Sequence, residues 1–435
     1  MGAGVGTATG RVMGRSDRRR AVLGTGLGNA IEWYDWNIYA VFSVVFAPAF
    51  FSAGTGVSNL IQALLVFAVG FFFRPLGGLV LAALSDRVGR RAGLSLMIGL
   101  MAAGSTAIAV SPTYEQIGLF APLLLLIARI AQGLSTGGEF AAASTYLAEV
   151  APPGKRGLYS SAFYISTALG TIAAVLTSFL LRAALTPEQL AAWGWRVPFA
   201  LGAVLGLVGL WIRLGLEESD VYASVKNEPP VSMFAGLRRY PIASLQVFGM
   251  TVGITTWYYV FAVYLPVSAK AADPTAAGSI DVASLAALAL FCLALPLFGR
   301  ASDRFGRRRW MLLFCGLGTV TALPLLDSLR PTATSVFVVQ LLGLLIFAFY
   351  GAIAPTLMSE MFPTEVRAAG IGLPYALAVA VFGGTAPYVL EWMADIGQRH
   401  LFSWYVAALC LASLLTSLTI VDRRHEDLRD LRISR

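Results

Sequence analysis

Apolar runs of roughly twenty residues, each closed by charges, Gly or Pro, recur along the whole chain. About 20 such residues, at 1.5 Å each, cross a hydrocarbon core ~30 Å thick as a helix. The runs fall at 21–51, 57–83, 92–111, 117–148, 157–182 and 195–215, then at 241–269, 278–299, 309–329, 333–361, 367–393 and 399–421. Their spacing predicts twelve transmembrane helices in two sets of six. The most polar interior stretch, Glu217 to Tyr240, separates the sets and carries Lys226, Glu228, Pro229, Pro230, Arg238 and Arg239. Clustered charge and Pro mark a linker. The expected organisation is a basic tail (1–20), a six-helix bundle (21–216), a cytoplasmic linker (217–240), a second six-helix bundle (241–421) and a tail (422–435).

Composition agrees with an all-α membrane protein: 57% of residues are apolar and 13% charged, against about 25% charged in an average soluble domain. The spans leave no room for a separate soluble domain. Arg11, Arg15, Arg18, Arg19 and Arg20 precede the first span, which is too long for a signal h-region, so the N-terminus is expected to be retained inside. The formal charge of +8 does not point to nucleic acid, because the basic residues fall in alternate loops. Arg87, Arg90, Arg91, Lys155, Arg156, Arg300, Arg304 and Arg307 to Arg309 lie on one side, and few lie on the other. That is the positive-inside distribution, and it predicts a multi-pass protein of the cell (inner) membrane with both termini cytoplasmic. Cys292, Cys315 and Cys410 sit inside apolar runs at unrelated spacings, which suits packing and neither disulfides nor metal. His400 and His425 lie near loops or the tail, so no intramembrane histidine is expected to carry protons.

Glu32 and Asp35 depart from this apolar pattern, because they stand one helical turn apart inside the first span. A charge at the bilayer centre costs at least ~2.5–3.5 kcal/mol, so an intramembrane acid points to function and to a partner. Arg74 and Arg129 are the two arginines deep inside spans that the loop distribution leaves unaccounted for. At 1.5 Å per residue, Arg129 lies roughly 18 Å in from the outer face and Asp35 roughly 21 Å up from the inner one, so the two can meet. Arg74 and Glu139 both come out about 15 to 18 Å above the inner face. Arg74 can therefore fork onto a substrate carboxylate or bridge to Glu139. Trp257, Tyr258, Tyr259 and Tyr264 cluster in the seventh span. Hydroxyls there suit carboxylates, and aromatic faces suit a quaternary ammonium group.

Two loops repeat. Leu84-Ser-Asp-Arg-Val-Gly-Arg-Arg91 recurs as Ala301-Ser-Asp-Arg-Phe-Gly-Arg-Arg308. Glu149-Val-Ala-Pro152, followed by Arg156, recurs as Glu360-Met-Phe-Pro363, followed by Arg367. Both offsets are close to half the chain length, so the two sets of helices are structural copies. A parallel six-helix repeat is a transporter architecture with its site between the halves.

These residues, together with Gly28-Asn29 and Glu32-Trp-Tyr-Asp35, Arg74-Pro-Leu-Gly-Gly78, Arg129-x-x-Gln132-Gly133 with Gly137-Gly-Glu139, and Trp193-Gly-Trp-Arg-Val-Pro-Phe199, resemble the major facilitator superfamily. Within it the chain is similar to the metabolite:proton symporters that include carriers of citrate, 2-oxoglutarate, shikimate, and proline or betaine. Ala82 and Ala40 stand where that family usually has Gly. The short tail after Val421 has no heptad run, unlike betaine carriers with a coiled-coil tail. In the resembling sugar:proton symporters an Asp aligns with Asp35 and an Arg with Arg129, which implies that this pair, with Glu32, couples protons to transport. The resemblance also implies that the first and seventh helices line a cavity, which makes Arg74, Tyr39, Gln132, Glu139, Trp257 and Tyr258 candidate substrate ligands. It implies gates at Asp86, Arg90, Glu149 and Arg156 and at Asp303, Arg307, Glu360 and Arg367.

The expected function is proton-coupled import of a small organic acid, most simply an anionic carboxylate, by a monomer that needs no cofactor beyond the coupling proton. A symporter of a zwitterionic osmolyte is the alternative. A proton-coupled drug exporter is disfavoured, because Gly157 to Arg182 lacks the Gly-Pro-rich signature that such exporters resembling this fold carry. No cluster of nucleophile, base or metal ligands suggests an enzyme.

Overall fold

The computed structural model describes residues 15–52, 57–88, 90–137, 139–152, 154–215, 234–423 and 426. Most of the expected linker lies outside them. The described residues form twelve long helical segments: α1 (Arg15–Phe50), α2 (Asn59–Val88), α3 (Arg90–Val110), α4 (Phe120–Val150), α5 (Arg156–Ala184), α6 (Arg196–Gly215), α7 (Pro241–Ala272), α8 (Ala277–Phe305), α9 (Arg307–Asp327), α10 (Ala333–Ser359), α11 (Thr364–Asp395) and α12 (Arg399–Leu418). Nine of them are long and apolar enough to cross a membrane, and α6 joins them when taken with the bent helical turn before it.

Four segments are interrupted, α10 among them by a turn at Ala352 and Ile353. Thr136 and Gly137 open a non-helical step in the middle of α4. A π-helical stretch at Tyr259–Tyr264 runs through the middle of α7, and another at Val379–Gly383 through α11. Such insertions rotate the side chains that follow and gather at functional sites.

The neighbours of the first half recur six places later in the second. The pairs α1 with α5, α2 with α4 and α3 with α6 are repeated as α7 with α11, α8 with α10 and α9 with α12. Between halves, α5 lies along α8, α2 packs on α11, α1 on α7, and α4 on α10 and α11. Apolar side chains face outward on many helices, for example Trp211 and Val320, as a lipid-facing surface requires.

The α2–α4 seam is built backbone to backbone. A Cβ on Gly133 would run into the carbonyl oxygen of Gly70, and one on Gly137 into that of Arg74. Overpacking of this kind costs roughly 1–3 kcal/mol. We expect Gly133→Ala to lower the melting temperature of the purified protein by several degrees. Gly99→Ala on α3, where a Cβ meets nothing within 4 Å, serves as the control and should leave it unchanged or slightly raised.

Candidate functional site

The acids of α1 point into two different environments. Asp35 is buried among α1, α3 and α4, where Oδ1 accepts from the Ser105 hydroxyl and Oδ2 accepts from Gln132 Nε2 at 2.6 Å. Gln132 Nε2 also donates to Ser105 Oγ at 2.8 Å. Arg129 does not touch Asp35 directly, although their depths let the two meet. Its Nη1 donates to Gln132 Oε1 at 2.8 Å, so the amide of Gln132 stands between guanidinium and carboxylate. Arg129 and Gln132 are three residues apart and share a face of α4, which puts the glutamine nearer α1. The rest of the Arg129 guanidinium lies against rings, 4.1 Å from the centroid of Trp36 and 4.4 Å from that of Tyr39, and Nε and Nη2 have no hydrogen-bond partner.

Glu32 faces the opposite way, into a cavity of about 30 Å3 between the halves. Asn29, Trp33, Arg74 and Phe140 line it from the first half, and Tyr375 and Val379 from α11. The step in α4 opens here, since Thr136 and Gly137 also line the cavity. Arg74 is buried, with its guanidinium 4.1 Å from the Trp36 ring and 4.2 Å from that of Phe71. Its Nε and Nη2 are buried without hydrogen-bond partners, and so is Glu32 Oε2. Trp36 is thus sandwiched between the two intramembrane arginines, a cation–π arrangement that holds both cations without neutralising them. The space suffices for about two waters, so the site must widen to admit a metabolite.

Several side chains expected at the substrate are committed elsewhere. Tyr39 donates its hydroxyl to the Ala63 carbonyl at 2.9 Å and packs on Phe67. Trp257 donates Nε1 to the Gly343 carbonyl at 2.8 Å and stacks on Phe261, inside the second half. Gln132 is held in the Asp35 network. Tyr258 does reach the seam, edge-on to Trp33 with centroids 5.6 Å apart, and its hydroxyl is buried without a partner. Tyr259 also packs on Trp33. The side chain of Glu139 lies outside the described residues, so its bridge to Arg74 does too. Sequence reasoning missed Ser105, Trp33, Trp36, Phe140 and Tyr375. Only Trp33 and Trp36 carried a signal, as aromatics flanking the acids.

The two halves touch at both ends. At the end of the repeated loops, Arg367 Nη1 lies 2.8 Å from Glu149 Oε1, and Arg156 Nη1 lies 3.5 Å from Glu360 Oε1. Asp303 accepts from the backbone N–H groups of Gly157 and Leu158 at 2.8 and 3.1 Å, capping the start of α5 from α8, while Arg307 holds Asp303 at 2.9 Å. Of the expected gate residues, Asp86 and Arg90 have side chains outside the described residues. At the other end Ser178 of α5 donates to Asp281 of α8 at 2.8 Å. The arrangement can enclose a small polar ligand between the halves, with an ionisable network beside it.

Comparison with known proteins points the same way. The sequence profile of the Major Facilitator Superfamily matches residues 25–373 and 247–433. The chain is 39% identical over 421 residues to the alpha-ketoglutarate permease of Escherichia coli (strain K12), covering 95% of this chain and 96% of that one. It is 36% identical over 428 residues to the citrate-proton symporter of Klebsiella pneumoniae, covering 96% and 95%. Among solved structures, a proton:xylose symporter bound to 6-bromo-6-deoxy-D-glucose has the same fold, with a TM-score of 0.72 over 95% of this chain and 98% of that one at 16% identity.

Proposed function

The chain belongs to the Major Facilitator Superfamily, and on that premise we propose that it is a proton-coupled symporter that brings a small organic acid into the cell by alternating access. It is a multi-pass membrane transporter, not an enzyme. The observation that carries the substrate class is Arg74. A buried guanidinium with two unpartnered nitrogens, facing a cavity lined by both halves, is costly unless an anion meets it, and its planar fork matches a carboxylate. The substrates named for two relatives, alpha-ketoglutarate and citrate, are carboxylates of that kind. We assign proton coupling to Asp35, positioned by Ser105 and linked to Arg129 through Gln132, with Glu32, the acid that faces the cavity, as the second. Both termini are cytoplasmic in this reading, so the repeated loops form the inner gate and the Ser178–Asp281 contact closes the outer side. A single chain supplies both walls of the cavity, so a monomer suffices.

One observation favours the zwitterion reading. Glu32 Oε2 is unpaired in the same cavity as Arg74, beside the rings of Trp33, Phe140 and Tyr375, and acid plus rings would suit a quaternary ammonium. A thermal-shift screen of purified protein against 2-oxoglutarate, citrate, proline and glycine betaine separates the two. Ligand at a hundred times its Kd stabilises by about 2.7 kcal/mol. We expect a carboxylate to raise the melting temperature and its uptake into proteoliposomes to respond to an imposed pH gradient. Stabilisation by glycine betaine alone would replace the organic-acid reading.

A further inference from the structure

Arg182 on α5, Lys270 on α7 and Asp281 on α8 meet at the outer end of the seam. Asp281 is fully buried and both its oxygens are taken, Oδ1 by Lys270 Nζ at 2.7 Å and Oδ2 by Ser178 Oγ at 2.8 Å. Arg182 approaches Oδ2 only to 3.8 Å, and its buried Nε has no hydrogen-bond partner. Two cations therefore share one anion, and among the described residues no second carboxylate pairs with either. The surplus positive charge sits on Arg182, whose side chain is 22% exposed at the mouth of the seam with only Asp281 opposite it. Lys270 and Asp281 belong to the same half and stay paired when the halves part, whereas Arg182 belongs to the other half and loses Asp281.

Resting on the anionic-substrate reading above, we propose that Arg182, with Lys270 behind it, is the outer receiving site for the substrate carboxylate. Opening of the outer side draws α5 from α8 and bares the Arg182 guanidinium. An incoming carboxylate forks onto it. As the seam closes, Asp281 returns to Arg182 and the substrate passes inward toward Arg74. Asp281 thus acts as an internal competitor that resets the site, and Arg182 acts on uptake from outside only.

The test measures citrate and 2-oxoglutarate transport in right-side-out and inside-out membrane vesicles for the parent, Arg182→Gln and Arg182→Lys. Loss of one charge-assisted pair at an approach site predicts a rise of about tenfold in the outer KM for Arg182→Gln, with Vmax within about twofold. The inner KM should stay at the parent value, and Arg182→Lys should recover part of the loss. An unchanged outer KM overturns the proposal, and so does an equal rise on both sides, which marks a merely structural role. Should Arg182→Gln fail to reach the membrane, Asp281→Asn gives the opposite sign. It leaves two cations facing the entrance and should lower the outer KM, and no change overturns the proposal. A parent that carries betaine and neither carboxylate overturns the substrate reading itself, whereas a parent that carries citrate with Arg182→Gln unaltered overturns only the receiving site.

Discussion

Asp35→Asn is expected to abolish proton-driven accumulation while sparing exchange. One unit of pH is worth about 1.4 kcal/mol, enough for about tenfold accumulation when one proton accompanies each substrate. In proteoliposomes with such a gradient the parent should reach that ratio and the variant should stop at equality. The variant should still catalyse counterflow of labelled against unlabelled substrate. The partners of Asp35 set this outcome. Its carboxylate accepts from Ser105 and from Gln132 Nε2. An Asn there can present its oxygen to Gln132 and an amide hydrogen to Ser105 Oγ, so that only the Ser105 hydroxyl hydrogen has to turn to another acceptor, and the fold survives. What Asn cannot do is change charge. It holds the network in the form that a protonated Asp35 would have, and Arg129, joined through Gln132 Oε1, no longer has an anion to answer. Gln132→Leu is a second arm. It leaves the carboxylate short of a donor and Arg129 short of an acceptor, a loss of about 1–3 kcal/mol for each stranded buried group. The measured result should be poor coupling together with a lower melting temperature. Persistence of gradient-driven accumulation in Asp35→Asn would assign the coupling elsewhere, with Glu32 the next acid to replace.

Hydrophobic patterning makes the twelve spans legible because a lipid-facing helix advertises itself at every turn, and most ends fall within a few residues of the apolar runs. The repeat is legible for a different reason: the loops from Asp86 to Arg91 and from Asp303 to Arg308 share residues whose chemistry suits one geometry. Depth is legible too, since rise per residue is fixed, and Asp35, Gln132 and Arg129 do lie at one level. Direction around a helix axis is not. Arithmetic on height could not say that Gln132 would stand between Asp35 and Arg129, nor that Glu32 and Asp35, one turn apart, would serve separate environments. The break in α4 was hidden because Gly137 reads equally as a packing glycine or as a step. In α7 the π-helical stretch from Tyr259 to Tyr264 follows directly on Trp257 and Tyr258. Trp257 turns inward to Gly343 while Tyr258 reaches Trp33, a division that a uniform 3.6-residue period does not yield. Lys270 and Arg182 look like ordinary loop-end charges in sequence. Only the packing of α5 on α8 brings them to Asp281.

Arg74→Gln should separate stability from transport most sharply. A buried guanidinium with Nε and Nη2 unpartnered costs the resting protein about 1–3 kcal/mol for each unsatisfied group. Replacing it with a neutral amide removes that cost, and what is lost is the stacking on Trp36 and Phe71 and the charge facing the Tyr259 hydroxyl. The variant should therefore melt at or above the parent temperature. Transport should move the other way. Truncating one side of a buried, hydrogen-bonded charge pair costs about 2–5 kcal/mol, so KM for a carboxylate substrate should rise at least about thirtyfold, or saturation should disappear. Arg74→Lys keeps the charge but not the planar fork and should fall between the two. A structural bridge between Arg74 and Glu139 predicts a different pattern: Glu139→Gln would then lower the melting temperature as much as Arg74→Gln, and both variants would be less stable than the parent. Ligand-induced stabilisation supplies the last discrimination. Under the carboxylate reading, Arg74→Gln loses the thermal shift with citrate or 2-oxoglutarate while Glu32→Gln keeps most of it. A zwitterion held between the two charges would lose its shift in both variants, and equal losses would transfer the substrate assignment from acid to betaine.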